Sequence, residues 1–128
     1  MILDSSALVG IVLREPGFET LVRKLAQAQA LAVGAPTLTE AGIVLTARLG
    51  RNARGLLQGL LREWDATTVA FGEEHWREAV TAYDRFGRGR HEAQLNFGDC
   101  MAYAVAKLAG EPLLCTGGDF AKTDLELA

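Results

Sequence analysis

Short apolar runs alternating with helix-period segments constrain this chain more than any other feature. That alternation is the mark of βαβ units, in which parallel strands are joined by helices that cover both faces of the sheet. Strands are expected near Met1 to Asp4, Leu31 to Ala35, Thr67 to Phe71 and Pro112 to Thr116, with a short last strand around Leu125. Helices fill the gaps, following Ser5 or Ser6, Gly17, Thr37, Asn52, Gly72 and Gly98, each opened by a small, polar or glycine residue suited to a cap. The expected architecture is a three-layer α/β fold with a central, mostly parallel sheet of four or five strands. At 128 residues and 49% hydrophobic content, one domain over 1–128 is expected, and a chain of this size buries roughly two thirds of its unfolded surface.

One helix differs from the rest. From about Asp99 to Ala109 the chain is apolar nearly all round, with Lys107 as the charge inside it, so this helix belongs in the core. Before it lies the segment from Gly87 to Gly98, with three glycines and little periodicity. A loop of that length in a small domain reads as functional or as a mobile linker.

Four acids, Asp4, Glu40, Asp99 and Asp119, each fall at the carboxyl end of an expected strand or in the first turn of a helix leaving that edge. Open α/β sheets place their ligands there. Each acid also has a structural reading. Asp4 caps the next helix. Thr37-Leu-Thr-Glu40 fits a capping box, and Asp99 opens a helix whose dipole favours an anion. These are separate explanations for four acids that a single site explains together. Gathered carboxylates repel and resist desolvation, so a shared site calls for a divalent cation. Hard oxygen ligands suit Mg²⁺ or Mn²⁺, which support phosphodiester hydrolysis by activating water and steadying the leaving oxygen. Ser6 reads equally as a cap or as a hydroxyl beside a metal-bound water, Asn96 as a cap or a hydrogen-bond partner of Asp99, and Asp124 as a fifth acid or a turn residue.

Charge and cysteine content limit the alternatives. The net charge of −3 gives no global basic footprint, so a nucleic-acid partner needs a local patch. Arg85, Arg88, Arg90 and His91 supply one just before Asp99, and Arg88, Arg90 and His91 are the candidate phosphate contacts, against the reading of a solvated loop. Cys100 and Cys115 sit in apolar contexts without a CxxC spacing, which reads as buried thiols. The N-terminus lacks the basic start of a signal peptide and no stretch is long enough to span a membrane, so a cytoplasmic protein is expected.

The residues resemble those of a known family, the PIN-domain ribonucleases, and within it the VapC toxins of type II toxin-antitoxin modules. The marks are Ile2-Leu-Asp4-Ser-Ser6, Thr39-Glu40, Leu95-Asn-Phe-Gly-Asp99-Cys-Met-Ala-Tyr-Ala and Pro112-Leu-Leu-Cys-Thr-Gly-Gly-Asp119-Phe-Ala-Lys-Thr-Asp124. The resemblance implies endoribonuclease activity dependent on Mg²⁺ or Mn²⁺, with Asp4, Glu40, Asp99 and Asp119 as catalytic and metal-binding acids and Ser6, Thr116 and Asp124 as supporting groups. It also implies a homodimer and inhibition by a cognate VapB-type antitoxin. Asp119 and Asp124 both match acids near the end of such chains, and the sequence does not choose between them. Two other classes compete: a non-catalytic α/β binding module whose acids are helix caps, and a phosphoacceptor signalling domain. The latter wants a phosphoacceptor Asp after the third strand, where this chain has Phe71-Gly72-Glu73 and no Asp.

Overall fold

In the computed structural model, which describes residues 1–128, four short strands form one parallel sheet: β1 (Ile2–Leu3), β2 (Ala32–Gly34), β3 (Thr67–Val69) and β4 (Leu113–Leu114). Their order is β3-β2-β1-β4. The chain builds outward from β1 to β3, then returns to add β4 on the far side of β1. The order therefore reverses between β1 and β4, and such a reversal opens a crevice at the carboxyl ends of the strands.

The period-two geometry of a strand decides which face each residue serves. Ile2 and Leu113 point into a core shared with α5 (Glu73–Phe86) and α6 (Phe97–Ala109). Their neighbours Leu3 and Leu114, with Val33, point into a second core built by α1 (Ser5–Val12), α2 (Phe18–Gln27), α3 (Ala35–Leu49) and α4 (Arg54–Glu63). All five are at most 3% exposed, and complete burial of such side chains stabilises by about 1.5–3 kcal/mol each.

Helix α6 is the buried helix that its composition implies, with Cys100 and Ala102 to Ala106 all inside. Its alanines let it approach the sheet closely. A Cβ on Gly34 would stand 2.8 Å from Val105 Cγ2, so β2 and α6 meet only because that strand residue is glycine. The start of α6 is thereby held beside the end of β2.

Four expectations are corrected. Helix α3 starts at Ala35 rather than after Thr37, because β2 runs straight into it and Pro36, with its preset φ, sits in the first turn. Thr37 is buried inside the helix, and the Thr37/Glu40 capping box does not form. The helix placed after Asn52 begins at Arg54, although Asn52 Oδ1 still accepts from the Arg54 amide at 2.9 Å. The Gly87–Gly98 segment is no open loop: Leu95 N–H donates to Phe86 O at 3.0 Å, Arg88 N–H donates to Leu95 O at 3.0 Å, and Ala93 and Leu95 are fully buried. Two apolar side chains fold the segment back onto the core. The expected last strand is reduced to one bridge, Leu113 to Leu127.

Candidate active site

Asp4 closes β1 and caps α1, and it is one of only two buried polar residues. Its Oδ2 accepts from Ser6 N–H at 3.1 Å and from Ser6 Oγ at 2.6 Å. The same hydroxyl accepts from Thr116 N–H at 3.0 Å. Ser6 therefore ties the end of β1 to the turn after β4 across the crevice where the strand order reverses.

Glu40 reaches this place from the second turn of α3. Free of any capping role, its Oε1 accepts a hydrogen bond from Ser5 Oγ. Asp99 comes from the start of α6, where it and Asn96 bond reciprocally: Asp99 N–H donates to Asn96 Oδ1 at 2.9 Å, and Asn96 N–H donates to Asp99 Oδ2 at 3.0 Å. Asp119 precedes a short 3-10 turn (Phe120–Lys122), is exposed, and makes no capping bond.

These acids act on one another. Burial first, then the negative charges of Asp4, Glu40 and Asp119, raise the Asp99 carboxyl above its ordinary value. Burial likewise raises Asp4, against the hydrogen bonds from Ser6, and the charge of Glu40 adds to the rise. Four segments far apart in sequence thus share one negative basin. No three of its side chains, nor any other set of His, Cys, Asp and Glu, are drawn into a finished ion cage. The donors are nonetheless all hard oxygens, three of them steadied by Ser5, Ser6 and Asn96, and their electrostatic cost is of the kind a divalent cation relieves.

Asp124 lies in different company. Its Oδ1 accepts from the Tyr103 hydroxyl at 2.6 Å, and its Oδ2 meets Lys107 Nζ at 2.8 Å and Arg85 at 3.4 Å. Hydrogen bonds from Lys107 and Tyr103 and the charges of Lys107 and Arg85 outweigh the desolvation that opposes them, and its pKa falls to about 2. This carboxylate anchors the C-terminal segment to α5 and α6. The lone lysine of an apolar helix was the signal that such a partner existed.

The basic residues divide as well. Arg85 serves the Asp124 anchor and lies over the Phe86 ring. Arg90 pairs with the exposed Asp84 at 3.2 Å, and Arg88 is exposed. His91 uses Nδ1 to accept from Ala93 N–H at 3.0 Å and sets its ring edge-on to Phe86. Neither cysteine is a reactive thiol: burial pushes Cys100 and Cys115 each up to about 11. Sequence reasoning missed Ser5, Tyr103 and the closeness of Gly98 to Glu40, because each depends on a neighbour distant along the chain.

An acid basin on the carboxyl edge of a parallel sheet is shared by many folds, but the match along this chain is to one of them: the PIN domain family matches residues 1–126. The chain belongs to the PIN-domain family. Among curated relatives, ribonuclease VapC36 of Mycobacterium tuberculosis is 47% identical over 98% of this chain and 91% of that protein. Ribonuclease VapC of Mycolicibacterium smegmatis is 38% identical over 98% and 97%. The fold is that of Mycobacterium tuberculosis VapC20, a sarcin-ricin loop cleaving toxin, with a TM-score of 0.81 at 17% identity over 99% of this chain and 97% of that one. A toxin-antitoxin complex from Klebsiella pneumoniae gives 0.73 at 15% identity over 99% and 95%. No helix of this PIN domain is long and apolar enough to cross a membrane.

Proposed function

We propose that this PIN domain is a divalent-metal-dependent endoribonuclease, the toxin of a toxin-antitoxin pair. The observation that carries the reading is the gathering of Asp4, Glu40, Asp99 and Asp119 at the sheet's topological switch point, where burial first and then the neighbouring negative charges raise the carboxyls of Asp4 and Asp99. Their kinship with VapC ribonucleases names the substrate class.

Asp4, Glu40, Asp99 and Asp119 would hold Mg²⁺ or Mn²⁺, which supplies water activation and charge neutralisation at the phosphodiester. Ser6 keeps Asp4 Oδ2 turned to a fixed place, and Asn96 does the same for Asp99. Thr116 sets the turn that leads to Asp119 through its bond to Ser6. With Asp124 held by three partners of its own, Asp119 completes the set. Arg88, Arg90 and His91 approach the RNA backbone rather than the bond that breaks. Water attack in line with the 3′-oxygen as leaving group would leave a 5′-phosphate and a 3′-hydroxyl, whereas attack by the 2′-hydroxyl would expel the 5′-oxygen and leave a 2′,3′-cyclic phosphate.

Two exposed apolar surfaces suit the expected partners. Trp76, Val80, Tyr83 and Phe97 form one on α5 and the start of α6, fitting a second copy of the chain. Leu38, Ile43, Ala47 and Leu61 form the other, a groove between α3 and α4 floored by the buried Leu57, fitting a VapB-type antitoxin. The reading of the acids as helix caps alone loses support at Glu40, which caps nothing.

The test is incubation of total RNA with the purified protein with and without Mg²⁺, followed by mapping of the ends. Cleavage that stops in excess EDTA and leaves 5′-phosphates is the expected result. Full activity in EDTA, or 2′,3′-cyclic ends, would overturn the mechanism.

A further inference from the structure

Gly98 occupies the second position of α6, immediately before Asp99. Its backbone gives no reason for glycine, since its φ lies outside the left-handed region that marks five other glycines of the chain. In a helix, alanine is the more stabilising choice at such a φ. The reason lies in what faces it. A Cβ placed on Gly98 would stand 2.9 Å from Glu40 Cδ and 3.1 Å from Oε1, and would come closer still to Oε2. The three nearest atoms all belong to that one carboxylate. Glu40 thus lies directly on the bare Cα of Gly98, with Ser5 Oγ donating to Oε1 from the other element.

We propose that Gly98 is a positioning residue: by lacking a side chain it forms the seat that holds the Glu40 carboxylate beside Asp99. The inference rests on the metal-site reading above. Glu40 arrives on a long, rotatable side chain from α3, whereas Asp99 is fixed in the first turn of α6 by its exchange with Asn96. A flexible acid beside a like charge turns away unless something else holds it. The seat and the Ser5 hydroxyl do so without placing a positive group in the basin. A methyl group at position 98 would leave α6 intact and displace only the free end of Glu40.

The test measures equilibrium Mn²⁺ binding and metal-free melting temperature for the full chain as wild type, Gly98→Ala, Glu40→Gln and the double variant. Gly98→Ala is expected to melt at or above wild type and to bind Mn²⁺ about 10- to 100-fold more weakly, the range for loss of a supporting group of a metal site. In the Glu40→Gln background the same substitution should cost nothing further, because the residue it acts through is already gone. Wild-type Mn²⁺ affinity in Gly98→Ala, with Glu40→Gln weakened, overturns the proposal and leaves the metal site standing. Wild-type affinity in Glu40→Gln removes Glu40 from the site and the proposal with it. Should Gly98→Ala fail to fold, Gly98→Ala/Glu40→Ala decides: recovery of the fold on removing the carboxylate supports the seat, and continued failure overturns it.

Discussion

Asp99 and Asp124 both meet groups carried by α6, yet the protein treats them in opposite ways. Asp99 is surrounded by acids and by burial, and its proton affinity rises. Asp124 is surrounded by Lys107, Arg85 and the Tyr103 hydroxyl, and its pKa drops to about 2. The acid basin carries an electrostatic cost that a bound cation or a proton would relieve, while the anchor satisfies its charge within the protein. What distinguishes a binding carboxylate from a structural one is the set of neighbours that meet it, and residue type says nothing of that.

The contrast breaks most readily at Asp99. Asp99→Asn keeps an oxygen for the Asn96 amide and removes one charge from the basin. RNA cleavage should fall by more than about 100-fold, beyond what loss of an outer supporting group costs a metal site, while the metal-free melting temperature holds or rises as repulsion is relieved. Cleavage at the wild-type rate would reduce Asp99 to a cap and erase the difference between the two regions.

Asp124→Ala should do the reverse. It leaves the Tyr103 hydroxyl without its acceptor, in a residue that is 0% exposed. The loss of stability should be about 1–3 kcal/mol, the penalty for a buried polar group deprived of its partner. Calorimetric Mn²⁺ titration of the folded variant should match wild type. Weakened binding there would move Asp124 from the anchor into the basin.

A pH series on the metal-free protein sharpens the comparison further. Asp4 and Asp99 bind protons more tightly folded than unfolded, so their ionisation costs stability as pH rises through their raised values, and lowering the pH from neutral should restore it. Asp124 contributes stability that is present above the ordinary carboxylate value of 3.8 and is lost as pH falls towards about 2. Melting temperature should therefore climb on mild acidification and then fall. The first limb should flatten in Asp99→Asn and the second in Asp124→Asn; identical profiles in the two variants would contradict the assignment.

The smallest effect is expected among the cations. Arg88 is exposed and Arg90, itself exposed, pairs with the exposed Asp84 and lies over the Tyr83 ring, so replacing both should lower the slope of log K against log salt by about 0.7 for each lost contact to single-stranded RNA. Arg85 belongs to the anchor, and its replacement should leave that slope unchanged. Equal slopes for wild type and the Arg88/Arg90 double variant would return those arginines to solvent.

Much of the architecture was legible along the chain because it depends on local periodicity. Each of the four strands lies within its expected run, and the apolar stretch after Asp99 is the buried helix. The start of α3 was misread because Thr37 and Glu40 have capping-box spacing, whereas the strand before them runs directly into helix at Pro36. The Gly87–Gly98 segment was misread because its glycines conceal two buried anchors, Ala93 and Leu95. The basin was legible in part: acids at the carboxyl ends of strands follow from a parallel α/β order, since every such end faces the same edge.

Sequence alone determined the layer order, the buried helix and the presence of acids on one edge, because strand alternation and helical periodicity are properties of consecutive residues. Only the tertiary structure decided that Asp124 answers Lys107, Arg85 and Tyr103, that Glu40 holds Ser5 rather than a helix end, and that Gly98 is the surface on which Glu40 lies. Each of those contacts joins residues between 17 and 58 positions apart. Whether an acid there meets a cation, a hydroxyl or another acid depends on which helices the core packs together, and no spacing along the chain encodes that.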